Sequence, residues 1–283
     1  MSAIIMVVSA VAIILLVKFG LLRGIEHIAG ARHWTVKSRG QVTGYATSVP
    51  ELVCLVAAGL AGVWEAGLWN IASSNIINFS LMMLAVGVFR QHRDLFNRRF
   101  IDELGFALAA VAVPLVLMGV GLDRQWYLVP VLAGFFVVYR VVDGVANRVN
   151  KLDKMGLEQI LEGPTDAKLG QRHSLAKGLG FTVASLIGVA LMGSVLGNAT
   201  AAVIEQFGIH PAVAGWILGT VTSLPEMVTF FAVYLNSRRQ GTLDLLDDTQ
   251  EVLDNLTGSN MANVGVVYPA GLFAFLMASA YLL

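Results

Sequence analysis

The sequence predicts an all-α, polytopic membrane protein of about eight transmembrane helices, and three observations carry that prediction. Of the 283 residues, 56% are hydrophobic and 13% charged, against about 45–50% and about 25% in an ordinary soluble domain. The apolar residues gather into runs of about 20, the length a helix needs to cross about 30 Å of hydrocarbon. Basic residues, finally, crowd into alternate connections between those runs. Backbone groups cannot stay unpaired in lipid, so runs of this length without barrel-like alternation are helices.

The apolar stretches lie at about 3–22, 42–63, 68–89, 104–121, 126–142, 175–197, 211–235 and 257–283. No basic residue precedes the first, and it continues past Lys18 to Leu22 without a small-residue cleavage site, so it reads as a retained helix rather than a signal peptide. Arg23, Arg32, Lys37 and Arg39 follow span one, and Arg90, Arg93, Arg98 and Arg99 follow span three. Seven more, from Arg140 to Lys177, follow span five, and Arg238 and Arg239 follow span seven. The opposite set of connections holds only Arg124. Short cytoplasmic loops accumulate Lys and Arg, which places both termini on the extracytoplasmic side. Residues 1–142 then form a first membrane half of five helices, 143–173 a polar cytoplasmic linker, and 174–283 a second half of three helices.

Lysines plus arginines equal aspartates plus glutamates at 19 each, which leaves no net field to attract nucleic acid. The single cysteine, Cys54, can form neither an intrachain disulfide nor a thiolate metal site, and packing is its expected role.

An internal repeat carries the chemistry. Span two contains Gly44-Tyr45-Ala46-Thr47-Ser48-Val49-Pro50-Glu51, and span seven contains Gly219-Thr220-Val221-Thr222-Ser223-Leu224-Pro225-Glu226, which share G-x-x-T-S-x-P-E. Each is followed by S-N-x-x-N: Ser74-Asn75-Ile76-Ile77-Asn78 in span three and Ser259-Asn260-Met261-Ala262-Asn263 in span eight. The repeats occupy about 42–89 and 211–275. By the basic-residue pattern, spans two and seven cross the membrane in opposite senses, the inverted topology of many secondary transporters. A plainer reading of each Thr-Ser-Pro cluster by itself is a kink in a membrane helix. The paired recurrence argues for a site.

Glu51 is the only charged residue between Val42 and Val63, and Glu226 the only one between Pro211 and Leu235. An ionised acid at that depth costs at least about 2.5 kcal/mol, and neither span offers a basic partner. Bound cations or protons supply the missing positive charge. Pro50 has no amide proton for the carbonyl of Ala46, and Pro225 none for that of Val221; ring crowding also tilts the carbonyls of Thr47 and Thr222. Spans two and seven are therefore expected to be discontinuous, with oxygens opened beside each glutamate. Two carboxylates and two carbonyls provide about six hard ligands, the lower end of what calcium takes. Ser48, Ser223, Ser74, Ser259, Asn78 and Asn263 add neutral oxygens suited to monovalent ions. With no histidine or thiolate in the set, zinc and copper are disfavoured. Asn75 and Asn260 serve equally well as interhelical hydrogen-bonding residues. Asn78 and Asn263 lie one turn beyond a serine, on the site's face.

At these residues the chain resembles the sodium/calcium exchanger family of the cation/calcium antiporter superfamily, whose paired inverted repeats carry G-T-S-x-P-E/D and G-S-N-x-x-N/D segments. The second repeat, GTVTSLPE and TGSNMAN, fits closely; the first has Ser73 where glycine is usual. The resemblance implies antiport of Ca2+ against Na+ or H+ by alternating access, with no cofactor. It assigns Glu51 and Glu226 as central calcium ligands and Thr47 and Thr222 as backbone-carbonyl ligands. Ser48, Ser223, Ser74, Ser259, Asn78 and Asn263 become sodium-site or supporting ligands.

Three departures stand out. Counterparts of spans four and five are missing from the second half, so either the chain is a shortened form or a neighbouring subunit in a homo-oligomer supplies packing. Some relatives place Asp where Asn263 stands. Glu226 and Ser259 are 33 positions apart against 23 for Glu51 and Ser74, so repeat two carries an insert. That insert, with Asp244, Asp247, Asp248, Glu251 and Asp254, reads as a solvated amphipathic segment, because its spacing is not that of an EF-hand. Span one and the glycine-rich span six, with Gly188, Gly193 and Gly197, are expected to slide against the ion-binding core. A channel could also use acids and carbonyls, but the inverted repeat favours an exchanger. An intramembrane enzyme lacks support: there is no G-x-S-x-G or H-E-x-x-H, and the histidines fall at span ends or in loops.

Overall fold

In the computed structural model, the residues described are 1–32, 36–97, 100–161, 174–240 and 246–281. Among them every regular element is helical. Among the described residues, eight helical segments are long and apolar enough to span a membrane: Ser2–Arg32, Gly40–Leu60, Trp64–Val88, Ile101–Gly119, Leu128–Val145, Leu175–Phe207, Pro211–Arg239 and Asp248–Ala280. The chain is an integral, multi-pass membrane protein. The buried share of each span's apolar window sorts centre from perimeter. It is 50–56% for the second, third and eighth spans and 22% for the fourth, fifth and sixth. Exposed residues such as Val137, Val138, Ile187 and Leu191 are the side chains a lipid-facing wall requires.

Span one consists of α1 (Ser2–Leu16), a π-helical turn at Val17–Leu21, and α2 (Leu22–Arg32). It runs ten residues beyond its expected end, because α2 buries Gly24, Ile25 and Ala29, with Gly24 lying against Gly178 and Thr182 of span six. Span two is divided into α3 (Val36–Thr47) and α4 (Val49–Leu60), and span seven into α10 (Pro211–Thr222) and α11 (Leu224–Gln240). The breaks fall at Ser48 (φ −82°, ψ −1°) and Ser223 (φ −80°, ψ −3°), two residues before Pro50 and Pro225. The expected discontinuities are present and nearly identical.

Between these come α5 (Trp64–Val88), the short α6 (His92–Leu95), α7 (Ile101–Gly119), α8 (Leu128–Leu161) and α9 (Leu175–Phe207). Gly62, at φ +75°, makes the tight turn from α4 to α5, and Gly208, at φ +59°, ends α9 in the left-handed conformation. The α8 helix continues beyond its apolar segment Leu128–Val145, so the first part of the expected 143–173 linker is helical; residues 162–173 lie outside those described. Arg98, Arg99 and Asp244 likewise lie outside them.

Span eight also differs from expectation. It begins as α12 (Leu246–Ala262), passes through a π-helical turn at Asn263–Val267, and ends as α13 (Tyr268–Tyr281). The insert in repeat two is therefore largely helix, and its inner part is not solvated: Thr249, Gln250, Asp254 and Asn255 are all buried. Gly40 permits this, because its bare Cα face admits Asp254, whose Cβ would lie 2.9 Å from a Cβ placed on Gly40.

The glycines of span six divide between two neighbours. Gly188 faces Leu16 of α1, whereas Gly193 faces Val53 and Gly197 faces Ala57, both on α4. Span six thus packs closely against span one and also against the core.

Candidate cation site

The two halves of the protein interlock through equivalent contacts. A Cβ added to Gly40 would meet Asp254, Glu251 and Asn255 of α12, and one added to Gly215 would meet Trp69, Ala66 and Asn70 of α5. One turn on, Gly44 lies against Asn255 and Ser259, and Gly219 against Asn70, Ser73 and Ser74. Each repeat therefore reads G-x-x-x-G-x-x-T-S-x-P-E, and its small residues let the broken helix of one repeat press on the intact helix of the other.

This crossing brings the signature residues together, and all ten side chains expected to form the site are buried. Ser74 donates to Glu51 Oε1 at 2.7 Å, and Ser259 donates to Glu226 Oε1 at 3.0 Å. Each serine also reaches across the repeats. The Ser74 and Ser223 hydroxyl oxygens are 3.0 Å apart, as are those of Ser48 and Ser259. Thr47 donates to Gly44 O at 3.0 Å, and Thr222 to Asn70 Oδ1 at 3.3 Å.

The asparagines form a second layer of paired contacts. Asn263 Nδ2 donates to Asn75 Oδ1 at 2.8 Å, and Asn78 Nδ2 to Asn260 Oδ1 at 3.3 Å. Asn75 Nδ2 donates to Ala110 O at 2.8 Å, and Asn260 Nδ2 to Asn75 O at 3.1 Å. Asn75 and Asn260 are thus interhelical tethers, as their plainer reading had it. After these bonds, Glu51 Oε2, Glu226 Oε2, Asn78 Oδ1 and Asn263 Oδ1 are buried without a hydrogen-bond donor. Buried polar atoms are ordinarily satisfied, and four unsatisfied oxygens on four crossing helical segments suit a hard cation. Among the described residues there is no cluster of three or more His, Cys, Asp or Glu arranged for a metal ion. The donors here are two carboxylates and neutral oxygens.

Asn70 and Asn255 are buried beside the site and were not anticipated. Their signal was the four-residue offset that extends both motifs to N-x-x-x-S-N-x-x-N. A cavity of ≈ 220 Å³ adjoins the site, reaching Ser48 between Tyr45, Leu52, Phe136 and Val267. Below the site, toward the basic ends of the helices, a separate polar network ties α3 to α8. Gln41 donates to Asp143 at 2.8 Å, and Arg140 donates to Gln41 Oε1 at 2.7 Å and Tyr45 OH at 2.8 Å.

Residues 177–281, which include Glu226, Ser259 and Asn263, match the family profile described as sodium/calcium exchanger protein. No curated protein matches the chain by sequence. Among solved structures, the chain is similar to the sodium-calcium exchanger NCX_Mj soaked with 100 mM Na+ and 10 mM Sr2+, at 20% identity and a TM-score of 0.51, covering 99% of this chain and 87% of that one. The same exchanger soaked with 10 mM Na+ and no Ca2+ gives the same identity, coverage and TM-score. At that identity the likeness establishes a shared fold. The chain carries the sequence pattern of the sodium/calcium exchanger family across its second half, and the fold of a sodium-calcium exchanger along nearly all of its length.

Proposed function

We propose that this protein is a secondary active antiporter that moves Ca2+ across the membrane in exchange for Na+ by alternating access. The observation that carries the reading is the set of four buried, donor-free oxygens on Glu51, Glu226, Asn78 and Asn263. A dehydrated cation satisfies all four at once and neutralises both acids, which no basic side chain in spans two or seven can do. In this reading Glu51 and Glu226 are the central calcium ligands, and the backbone carbonyls of Thr47 and Thr222 complete a hard oxygen shell of the size calcium takes. Ser48, Ser223, Ser74 and Ser259 orient the carboxylates and, with Asn78 and Asn263, hold sodium. The exchanger named in the fold comparison points the same way.

Both termini face the extracytoplasmic side, as the basic connections direct. Span one and the outer face of span six move against the core to expose the site alternately. The chain is a transporter rather than an enzyme, and its partners are the bilayer and the ions it carries.

The test is calcium-45 uptake into vesicles under imposed sodium or proton gradients, with Glu51→Gln and Glu226→Gln beside the wild type. Sodium-driven uptake that either substitution abolishes is the expected result. Full uptake in both variants overturns the ligand assignment, and flux without a counter-ion identifies a channel. Uptake driven by a proton gradient alone would make the protein a proton-coupled exchanger.

A further inference from the structure

Span one presents two basic side chains to one aromatic ring. Lys18 Nζ lies 5.4 Å, and the Arg23 guanidinium carbon 5.8 Å, from the centre of the Phe19 ring, both within cation–π range. In regular α-helix, residues five apart are about 140° out of register around the axis. The π-helical turn at Val17–Leu21 takes up one residue, so Lys18 and Arg23 share a face as residues four apart otherwise do. The same turn buries Val17 and Leu21 and sets Gly20 against Ser185 of span six, which leaves Phe19 on the outer wall, half exposed.

The two like charges converge with no anion from the protein between them. Glu26 is the only acid in span one, and neither cation is ion-paired to it or to any other described residue.

Depth and surroundings identify what supplies the negative charge. Lys18 stands 16 positions beyond Ser2, about 24 Å along the helix axis. That is about 6 Å short of the far edge of a ~30 Å hydrocarbon core, a gap its stem spans, and Arg23 lies at the edge itself. Both charges meet the headgroup layer at the basic ends of the helices, the cytoplasmic leaflet in the orientation proposed above. From Phe19 toward the bilayer centre runs an exposed apolar stripe of Leu15, Val11 and Val7, each four residues from the last. Val11 and Val7 also line a cavity between span one and span seven, with Ile217, Leu218 and Val221 on the far wall. Phe19 to Val11 is about 12 Å along the axis, within the ~15 Å depth of one leaflet's hydrocarbon.

We propose that one anionic phospholipid is bound on this face of span one. Lys18 and Arg23 hold its headgroup phosphate beside the Phe19 ring, and one acyl chain follows Leu15 and Val11 into the cavity next to span seven. Charge complementarity fixes the class of lipid. A zwitterionic headgroup brings its own cation to two that already repel, whereas that of phosphatidylglycerol neutralises them. Lipid retention is measured without transport, so this site stands or falls separately from the exchange reading.

The test is native mass spectrometry of the full-length protein released from nanodiscs of equal parts phosphatidylglycerol and phosphatidylcholine with identical chains. The wild type is expected to retain one phosphatidylglycerol about ten- to thirtyfold in preference to phosphatidylcholine, as two basic residues at a membrane surface give. Lys18→Gln with Arg23→Gln should abolish the preference. Arg238→Gln with Arg239→Gln, an exposed basic pair at the end of span seven, should leave it unchanged. A preference that survives the first double substitution, or that the second lowers equally, overturns the proposal. Displacement of the lipid by inorganic phosphate overturns it too, since the site would then take a free anion. If the first double variant does not fold, Phe19→Leu is read in its place. It removes only the π face and is expected to lower the preference about two- to fivefold, as loss of an exposed cation–π contact does; an unchanged preference counts against the site. Val11→Trp fills the mouth of the cavity and should lower the total of retained lipid while keeping the ratio of headgroups. Unchanged retention in that variant refutes the placement of the acyl chain.

Discussion

The hydroxyl oxygens of Ser74 and Ser223 stand 3.0 Å apart although the two residues belong to different repeats. Ser74 donates to Glu51 of its own repeat, so it cannot donate to Ser223 with the same proton. Ser259 holds the equivalent place between Glu226 and Ser48. The two carboxylates are thus oriented by hydroxyls in turn coupled to the opposite broken helix.

Replacing Ser74 or Ser259 with alanine removes a hydrogen bond to a charged group, an interaction worth about 1.5–3 kcal/mol. Each substitution is expected to weaken calcium affinity about ten- to hundredfold. The concentration dependence of calcium-45 uptake measures this. Similar losses in the two variants are expected, since the hydrogen bonds match.

Gly44→Ala and Gly219→Ala should destabilise the fold. A methyl group on Gly44 would stand 2.8 Å from Ser259 N, and one on Gly219 2.9 Å from Asn70 O; both of these are backbone atoms that cannot swing aside. Overpacking of this kind costs about 1–3 kcal/mol. Gly180→Ala, which meets nothing within 4 Å, is the control. Thermal denaturation in detergent should separate the first two variants from the third.

Asp143→Ala leaves the amide of Gln41 without its acceptor and removes the carboxylate 3.8 Å from Arg140. The expected loss of stability is about 1–3 kcal/mol. Because this network lies outside the cation site, calcium affinity of the folded variant should stay within about threefold of the wild type, as suits an interaction with no contact to the ligands. Denaturation and uptake measured on the same preparation check both halves of the prediction.

Span one meets span seven across a cavity of ≈ 100 Å³ lined by Met6, Ala10, Ile14, Leu218 and Val221. An interface that slides should tolerate such a gap better than the close-packed contact of Leu16 with Gly188. In a Cys54→Ala background, cross-linking Ala10→Cys to Leu218→Cys is expected to stop transport. Cross-linking Leu16→Cys to Gly188→Cys should leave it running. Full activity with the first cross-link sinks the sliding scheme.

The spans, and the buried residues of both halves of the candidate site, could be read from the sequence because hydrocarbon makes exceptions conspicuous. Glu51 and Glu226 were each alone in an apolar run, and proline marked the helix breaks to within two residues. The inner part of the insert was harder. Thr249, Gln250, Asp254 and Asn255 have the polarity of a loop, and only the partners that bury them reveal a helix. Those partners are Gly40, which admits Asp254, and Gln250, which hydrogen-bonds to both Asp254 and Glu103. Their pairing spans distances of up to 214 positions, which no local pattern encodes. Asn70 and Asn255 escaped notice for a simpler reason: they lie just outside the shorter motif.

The π-helical turn that begins at Asn263 has no counterpart in α5, where Asn78 sits in regular α-helix. Such a turn holds one residue more than an α-turn. Deleting a single residue from 264–267 would let the turn close up as ordinary α-helix, and because the π-turn already carries that extra residue, the helix beyond it would keep nearly its present rotation. Tyr268 would keep Asp123 O, its acceptor at 3.0 Å, and the ring of Trp64 within reach. The same one-codon deletion just past Asn78 in α5 would instead turn the rest of that helix by about 100°.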